Sequence, residues 1–132
     1  MCKVGDIILI NNYNDSSISI SKHSFVVISD VAGQIQGLDY DLICNVMSSF
    51  KNEGQRQKKL AYFGNFPITH NDSVVSNGNT KDGFIKAEQF YYFNKEKIDY
   101  ITIGSMKEEV FKILIDFINE SDIEIQHVID NL

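Results

Sequence analysis

Ser105-Met106-Lys107-Glu108-Glu109-Val110-Phe111-Lys112-Ile113-Leu114-Ile115-Asp116-Phe117-Ile118 is where the chain changes period. From Val110 onward, Val110, Phe111, Leu114, Ile115, Phe117 and Ile118 mark one face of a helix. Ser105 and Glu108 have the spacing of a capping box, in which the serine accepts from the amide of Glu108 and the glutamate reaches back. Ser121-Asp122-Ile123-Glu124 repeats that pattern ahead of Ile125, Val128, Ile129 and Leu132, which follow at i, i+3, i+4 and i+7. The spacing predicts two C-terminal helices over about 105–132.

Upstream of this point the apolar residues come in short runs instead. Val4 to Ile10 reads as a buried strand, and Phe25 to Ile28 as a second. Gln34 to Leu38 alternates as a half-buried strand does, and Asp39-Tyr40-Asp41 reads as a turn. Leu42 to Met47 is apolar apart from Asn45. Leu60 to Phe63, Phe66 to Thr69, Phe84 to Ala87 and Tyr100 to Ile103 are further short strand candidates, with Pro67 favouring an edge. Asn11 to Ser21, residues 51–59 with Gly54, and Asn71 to Gly83 read as loops. Strands followed by helices, without βαβ alternation, predict a mainly β fold: a small antiparallel barrel over about 1–104 with helices at one end. A chain of 132 residues fits one such domain over 1–132.

Composition narrows the function classes. Hydrophobic residues are 43% and charged residues 23%, so a disordered chain is excluded. No apolar run approaches the roughly 20 residues that span a bilayer, and the start lacks the pattern of a signal peptide. Two cysteines, Cys2 and Cys44, make no disulfide framework, so a cytoplasmic location and no membrane association are expected. The net charge of −6 is uneven: residues 107–132 carry −5, whereas Lys51 to Lys59 holds Lys51, Arg56, Lys58 and Lys59 against Glu53, for +3. An anionic ligand has a local landing place there.

The common nucleotide-binding, zinc and nucleophile-elbow motifs are absent, and His23, His70 and His127 lie too far apart in sequence to suggest a metal site. No metal or cofactor is expected. Four features carry possible chemistry. Lys22-His23-Ser24, ahead of the strand Phe25–Ile28, is either a solvated loop end or a proton-transfer group beside a phosphate-binding lysine. Ser48-Ser49, at the exit of Leu42–Met47, are turn residues or donors to an oxyanion. The loop 51–59 is a solvated surface or a grip on a phosphodiester backbone. Of Tyr62, Phe63 and Phe66, two belong in the core and one exposed ring can stack on an unpaired base. Cys44, among Leu42, Ile43, Val46 and Met47, reads as inert core and not as a nucleophile.

In order along nearly the whole chain, these segments resemble the MazF/PemK family of toxins from toxin–antitoxin systems. Lys3-Val4-Gly5-Asp6-Ile7-Ile8 resembles the family's opening strand. Lys22-His23-Ser24-Phe25-Val26-Val27-Ile28-Ser29 resembles its arginine-proline-valine-valine strand, and Leu42 to Ser49 the strand that ends in its threonine. Asn65-Phe66-Pro67-Ile68, Lys81-Asp82-Gly83-Phe84-Ile85-Lys86-Ala87-Glu88-Gln89, Asn94 to Ile98, and Ile103-Gly104-Ser105-Met106 follow in the family's order. The resemblance implies an SH3-like barrel, usually a homodimer, that cleaves single-stranded RNA without metal. Attack by the ribose 2′-hydroxyl gives a 2′,3′-cyclic phosphate and a 5′-hydroxyl.

The family's catalytic arginine falls on His23, its proline on Ser24, and its threonine on Ser48 or Ser49. Histidine is an acid–base replacement but lacks the guanidinium fork. A related group of toxins on this fold is held by an RNA antitoxin, and Lys22 with Ser48-Ser49 resembles its lysine and serine. The expected site is therefore His23 as general acid or base and Ser48 or Ser49 as transition-state donor. Lys22, Lys51, Arg56, Lys58, Lys59 and Tyr62 would contact RNA, and an antitoxin, protein or RNA, would be the partner. Two alternatives stay open. One is a non-catalytic binding module on the same barrel. The other is a CcdB-like toxin acting on a protein through its C-terminal segment. Ile125, Val128, Ile129 and Leu132 either pack on the barrel or form a dimer face.

Overall fold

Ile7 and Ile8 are adjacent in sequence and buried in different cores, and this is why the first strand is apolar without alternation. Ile7 packs with Val26, Ile85 and Leu114, whereas Ile8 packs with Phe25, Val27 and Phe93. A strand covered on both faces needs apolar side chains at every position. The computed structural model describes residues 2–13, 23–75 and 81–132. Lys22, one of the expected phosphate contacts, lies outside them.

The elements in chain order are β1 (Asp6–Ile10), β2 (His23–Ser29), β3 (Gly33–Ile35), β4 (Leu38–Tyr40), β5 (Leu42–Ser49), α1 (Glu53–Leu60), β6 (Asn65–Ile68), β7 (Ser73–Val75), β8 (Gly83–Lys86), β9 (Gln89–Phe93), β10 (Tyr100–Met106), α2 (Glu108–Glu120) and β11 (Gln126–Val128). The protein is mainly β, with two helices. The main sheet runs β11-β9-β5-β2-β1-β10-β7, with β8 between β5 and β6, and it curls into a half-barrel. Its pairings are antiparallel except that of β11 with β9.

The long strand β5 organises the curl. Its first half pairs with β9 and its last half with β8. Where β8 breaks off and β9 begins, the fully buried Asn45 donates from Nδ2 to the Gln89 carbonyl at 2.8 Å and the Lys86 carbonyl at 3.3 Å. The one polar residue of the Leu42–Met47 run thus satisfies the main chain at the break.

Several local expectations are corrected. Gln34 to Leu38 is not one strand: β3 and β4 form a hairpin, and Asp39 and Tyr40 belong to β4. Gln36 and Gly37, with φ of 51° and 82°, supply the left-handed pair that a tight hairpin turn needs. Residues 51–59 are no loop. Asn52 Oδ1 accepts from the Gln55 amide at 2.8 Å, Gln55 Oε1 accepts from the Lys51 amide at 2.6 Å, and α1 follows this reciprocal cap. Leu60 to Phe63 forms the end of α1 and a turn, not a strand.

Ser105 and Met106 complete β10, paired with Asp6 and Ser73, so Ser105 caps nothing. Helix α2 starts after Lys107, with Glu108 and Glu109 favourably placed in its first turn. Its Val110, Phe111, Leu114, Phe117 and Ile118 cover the core of Ile7 and Ile85, as the spacing predicts. The second C-terminal helix does not form: Gln126 to Val128 is β11, parallel to β9, and Val128 packs against the Phe25 core. No helix among the described residues is long and apolar enough to cross a membrane.

Candidate functional site

The register of β2 against β5 pairs Ser24 with Met47 and Phe25 with Val46. His23 and Ser48 are the next residues outward on the two strands; His23 pairs with Ile10 of β1 and Ser48 with Phe84 of β8. Both are strand residues, not the loop end and turn that were expected. The His23 ring meets Tyr13 edge-on at 4.9 Å and lies 6.3 Å from the Phe25 ring. An aromatic wall therefore fixes its orientation.

Ser48 alternates to the face of Phe84 and Phe50, whose rings lie 5.4 Å apart. Helix α1 sits over these rings. The Arg56 Cζ is 5.8 Å from the Phe50 centroid and the Lys59 Nζ is 6.0 Å from that of Phe84. Glu53, one turn earlier, lies 3.7 Å from the Arg56 guanidinium. Cation–π contact and a partial ion pair hold Arg56 at the end of β5.

Ser24, Met47 and Ser49 alternate to the opposite face. They line a cavity of about 240 Å³ with Ser73, Lys81, Ile68 and Val75, and Ser48 borders it. Ser49 and Lys81 also line an adjoining groove of about 490 Å³, where Lys51, Asn52, Arg56 and Asp82 join them. Gly83 holds this junction tight: a Cβ there would stand 2.1 Å from the Ser48 carbonyl oxygen. Hydroxyls and cations thus meet at one end of the sheet. Ser48 and Ser49 both line the cavity of about 240 Å³, and His23 lines neither that cavity nor the groove.

Lys58, Lys59 and Tyr62 fall apart from Lys51 and Arg56. They line a separate cavity of about 360 Å³ with Asn65, Lys86, Glu88 and Gln89. Tyr62 and Phe63 are 56% and 63% exposed and only Phe66 is buried, so one of the three rings is in the core where two were expected. The larger exposed aromatic area increases what an unpaired base can stack on.

Two contributors were missed by sequence reasoning. Lys81 enters the cavity through its place just ahead of β8. His70 and Asp82 form a pair: the His70 main-chain N–H donates to Asp82 Oδ1 at 3.0 Å, and its Nδ1 lies 3.1 Å from the same oxygen. The His70 main-chain bond, then its ring bond and the nearby Arg56 charge, hold the Asp82 carboxyl below its ordinary 3.8. The remaining histidine, His127 on β11, bonds the hydroxyl of Tyr92 on β9 at 2.7 Å.

Cys44 is fully buried, and burial pushes its thiol well above the ordinary 9.0, with the nearby Cys2 adding to this. The thiolate is the reactive form. The native protein is therefore expected to show no fast reaction of Cys44 with a thiol reagent at pH 8, and full reaction after unfolding; titration with a chromogenic disulfide measures both. Among the described residues no three His, Cys, Asp or Glu side chains gather as a metal-binding group.

No protein-family model and no curated protein sequence matches the chain significantly.

Proposed function

We propose that this chain is a metal-independent endoribonuclease, the toxin of a toxin–antitoxin pair, acting on single-stranded RNA. The observation that carries the reading is the gathering of Ser48, Ser49, Lys51, Lys81 and Arg56 at one sheet end, with His23 next to the cavity-lining Ser24, in a chain of net charge −6. An acidic protein that gathers hydroxyls, Lys51, Lys81 and Arg56 around one groove favours a small anionic group there over broad contact with nucleic acid. A phosphodiester fits that groove. His23 takes the proton of the ribose 2′-hydroxyl, and the 2′-oxygen attacks the adjacent phosphorus. Ser48 or Ser49 donates to the phosphorane, and Lys51, Lys81 and Arg56 offset its charge. Tyr62 offers a stacking face, with Lys58 and Lys59 as phosphate contacts further along the strand. In this reading the toxin is a cytoplasmic homodimer of SH3-like MazF/PemK type, restrained by an antitoxin.

One observation favours a second reading. The His23 ring packs against Tyr13 and Phe25, as a structural histidine does. A phosphate-binding module on the same sheet would need no proton transfer. The two readings separate in one experiment: a defined single-stranded RNA is incubated with the protein in EDTA and the product ends are identified. Cyclic phosphate and 5′-hydroxyl ends, lost in His23→Ala, are expected. Intact RNA across several sequences, with folded protein that still binds it, makes the chain a binding module.

A further inference from the structure

We propose that His70, positioned by Asp82, donates the proton to the leaving 5′-oxygen in this cleavage; the inference rests on the nuclease reading above. The reaction needs a donor as well as an acceptor. Arg56 cannot serve, because a guanidinium does not give up its proton in a protein. His127, on β11, is engaged with Tyr92 of β9, the strand that pairs with the opposite half of β5.

His70 follows β6 and Asp82 precedes β8, and the pairing of Ile68 with Gly83 brings the two together. Because Asp82 is held ionised at neutral pH, it only accepts. Its partner Nδ1 therefore carries a proton, and Nε2 is left as the nitrogen that gives and takes one. His70 and Asp82 are half exposed, so the ring is open to a ligand. Asp82 itself lines the groove with Ser49, Lys51, Arg56 and Lys81. The row Ser49–Gly83–Ile68 crosses three neighbouring strands. Asp82, next to Gly83, stands one strand from Ser49, and its carbonyl accepts from the Phe50 amide at 3.1 Å; His70, just past Ile68, comes from the strand beyond, roughly 4.8 Å further across the sheet.

The step balances. The bond between the 2′-oxygen and phosphorus forms as His23 accepts the hydroxyl proton. The bond from phosphorus to the 5′-oxygen breaks, its electron pair goes to that oxygen, and the imidazolium of His70 supplies the proton from Nε2. The proton gained by His23 and the one lost by His70 are then exchanged with water.

The test compares RNA with an oxygen or a sulfur at the bridging 5′ position, because a thiolate leaves without protonation. His70→Ala is expected to slow the oxygen-linked substrate by about 10²–10⁴-fold and to cleave the sulfur-linked one at close to the wild-type rate. Asp82→Asn, a positioning variant, is expected to lose less and to show the same rescue. His23→Ala is expected to lose both. Circular dichroism and melting confirm that each variant is folded. The proposal is overturned if His70→Ala cleaves oxygen-linked RNA at the wild-type rate, or if its loss is equal on the two linkages. A wild-type protein that cleaves neither linkage instead removes the nuclease reading, and this role with it.

Discussion

Replacing Arg56 and Lys81 together by alanine is expected to lower cleavage of single-stranded RNA by about 10³-fold or more, since one lost donor to a developing oxyanion costs about 10²–10³-fold. The two cations reach the same groove from different elements, Arg56 from α1 and Lys81 from the lead-in to β8. Arg56 is held by the Phe50 ring and by Glu53. A guanidinium held in place keeps more of its interaction than a mobile side chain does. The loss should be less than the product of the two single variants, because both act on one phosphate. Binding gives a second readout. Each phosphate contact removed should flatten the plot of log affinity against log salt by about 0.7 for a single strand. Unchanged rate and unchanged slope in the double variant place the RNA elsewhere, with the cavity of Lys58, Lys59 and Tyr62 the next surface to test.

The second large effect is on stability. Phe25→Ala is expected to cost about 3–5 kcal/mol, against a total of about 5–15 kcal/mol for a domain of ordinary stability. Phe25 is fully buried in β2, between β1 and β5, with ring centroids 5.2 Å from Phe93 and 5.3 Å from Tyr13 and Tyr91. Its neighbours belong to strands already paired on both sides, so the space left by the ring closes poorly. Tyr13 also contacts His23, so the variant should loosen that histidine as well. Chemical denaturation measures the cost. Phe63→Ala, at an exposed ring, should stay within about 0.5 kcal/mol of the parent. A Phe25→Ala midpoint as close to the parent as that of Phe63→Ala would mean that this aromatic cluster is not the core that holds β2.

The reading of the C-terminal segment as a protein-directed toxin element also changes. Removing residues 121–132 would strip β11 from β9 and uncover the Phe25 core beneath Val128. Loss of activity in that truncation would report unfolding as readily as a lost partner surface. Substitutions at the exposed Gln126 and Glu124 test partner contact without that damage.

Elements whose side-chain period matches their burial were legible in the chain. β1 and β2 show as unbroken apolar runs because both faces are covered, and α2 shows as a stripe because one face is. Helix α1 was missed because it buries no residue fully and has a glycine in its first turn. Its signal was local and readable, in the Asn52 and Gln55 spacing of the cap. β9 was missed although Phe90, Tyr91, Tyr92 and Phe93 form an aromatic run suited to a strand. β11 is the opposite case. Ile125, Val128, Ile129 and Leu132 satisfy a helical period, but the edge of β9 offers main-chain partners, and the Gln126 amide donates to the Glu88 carbonyl at 2.7 Å. A short segment cannot recover the cost of nucleating a helix when a ladder is already in place.

The candidate site divides in the same way. That His23, Ser48 and Ser49 stand at strand ends with basic residues nearby follows from the order of residues along the chain. Which of them meet does not, because only the β2–β5 and β5–β8 pairings bring Ser24, Ser48, Ser49 and Lys81 to one cavity and leave His23 outside it. His70 and Asp82 are separated by twelve positions and meet through the β6–β8 pairing. Periodicity along one chain records which face is buried; it carries no information about which strand lies next to which. Sheet partners are chosen by packing and hydrogen bonding across the whole molecule, and the chemistry gathered at this sheet end depends on that choice.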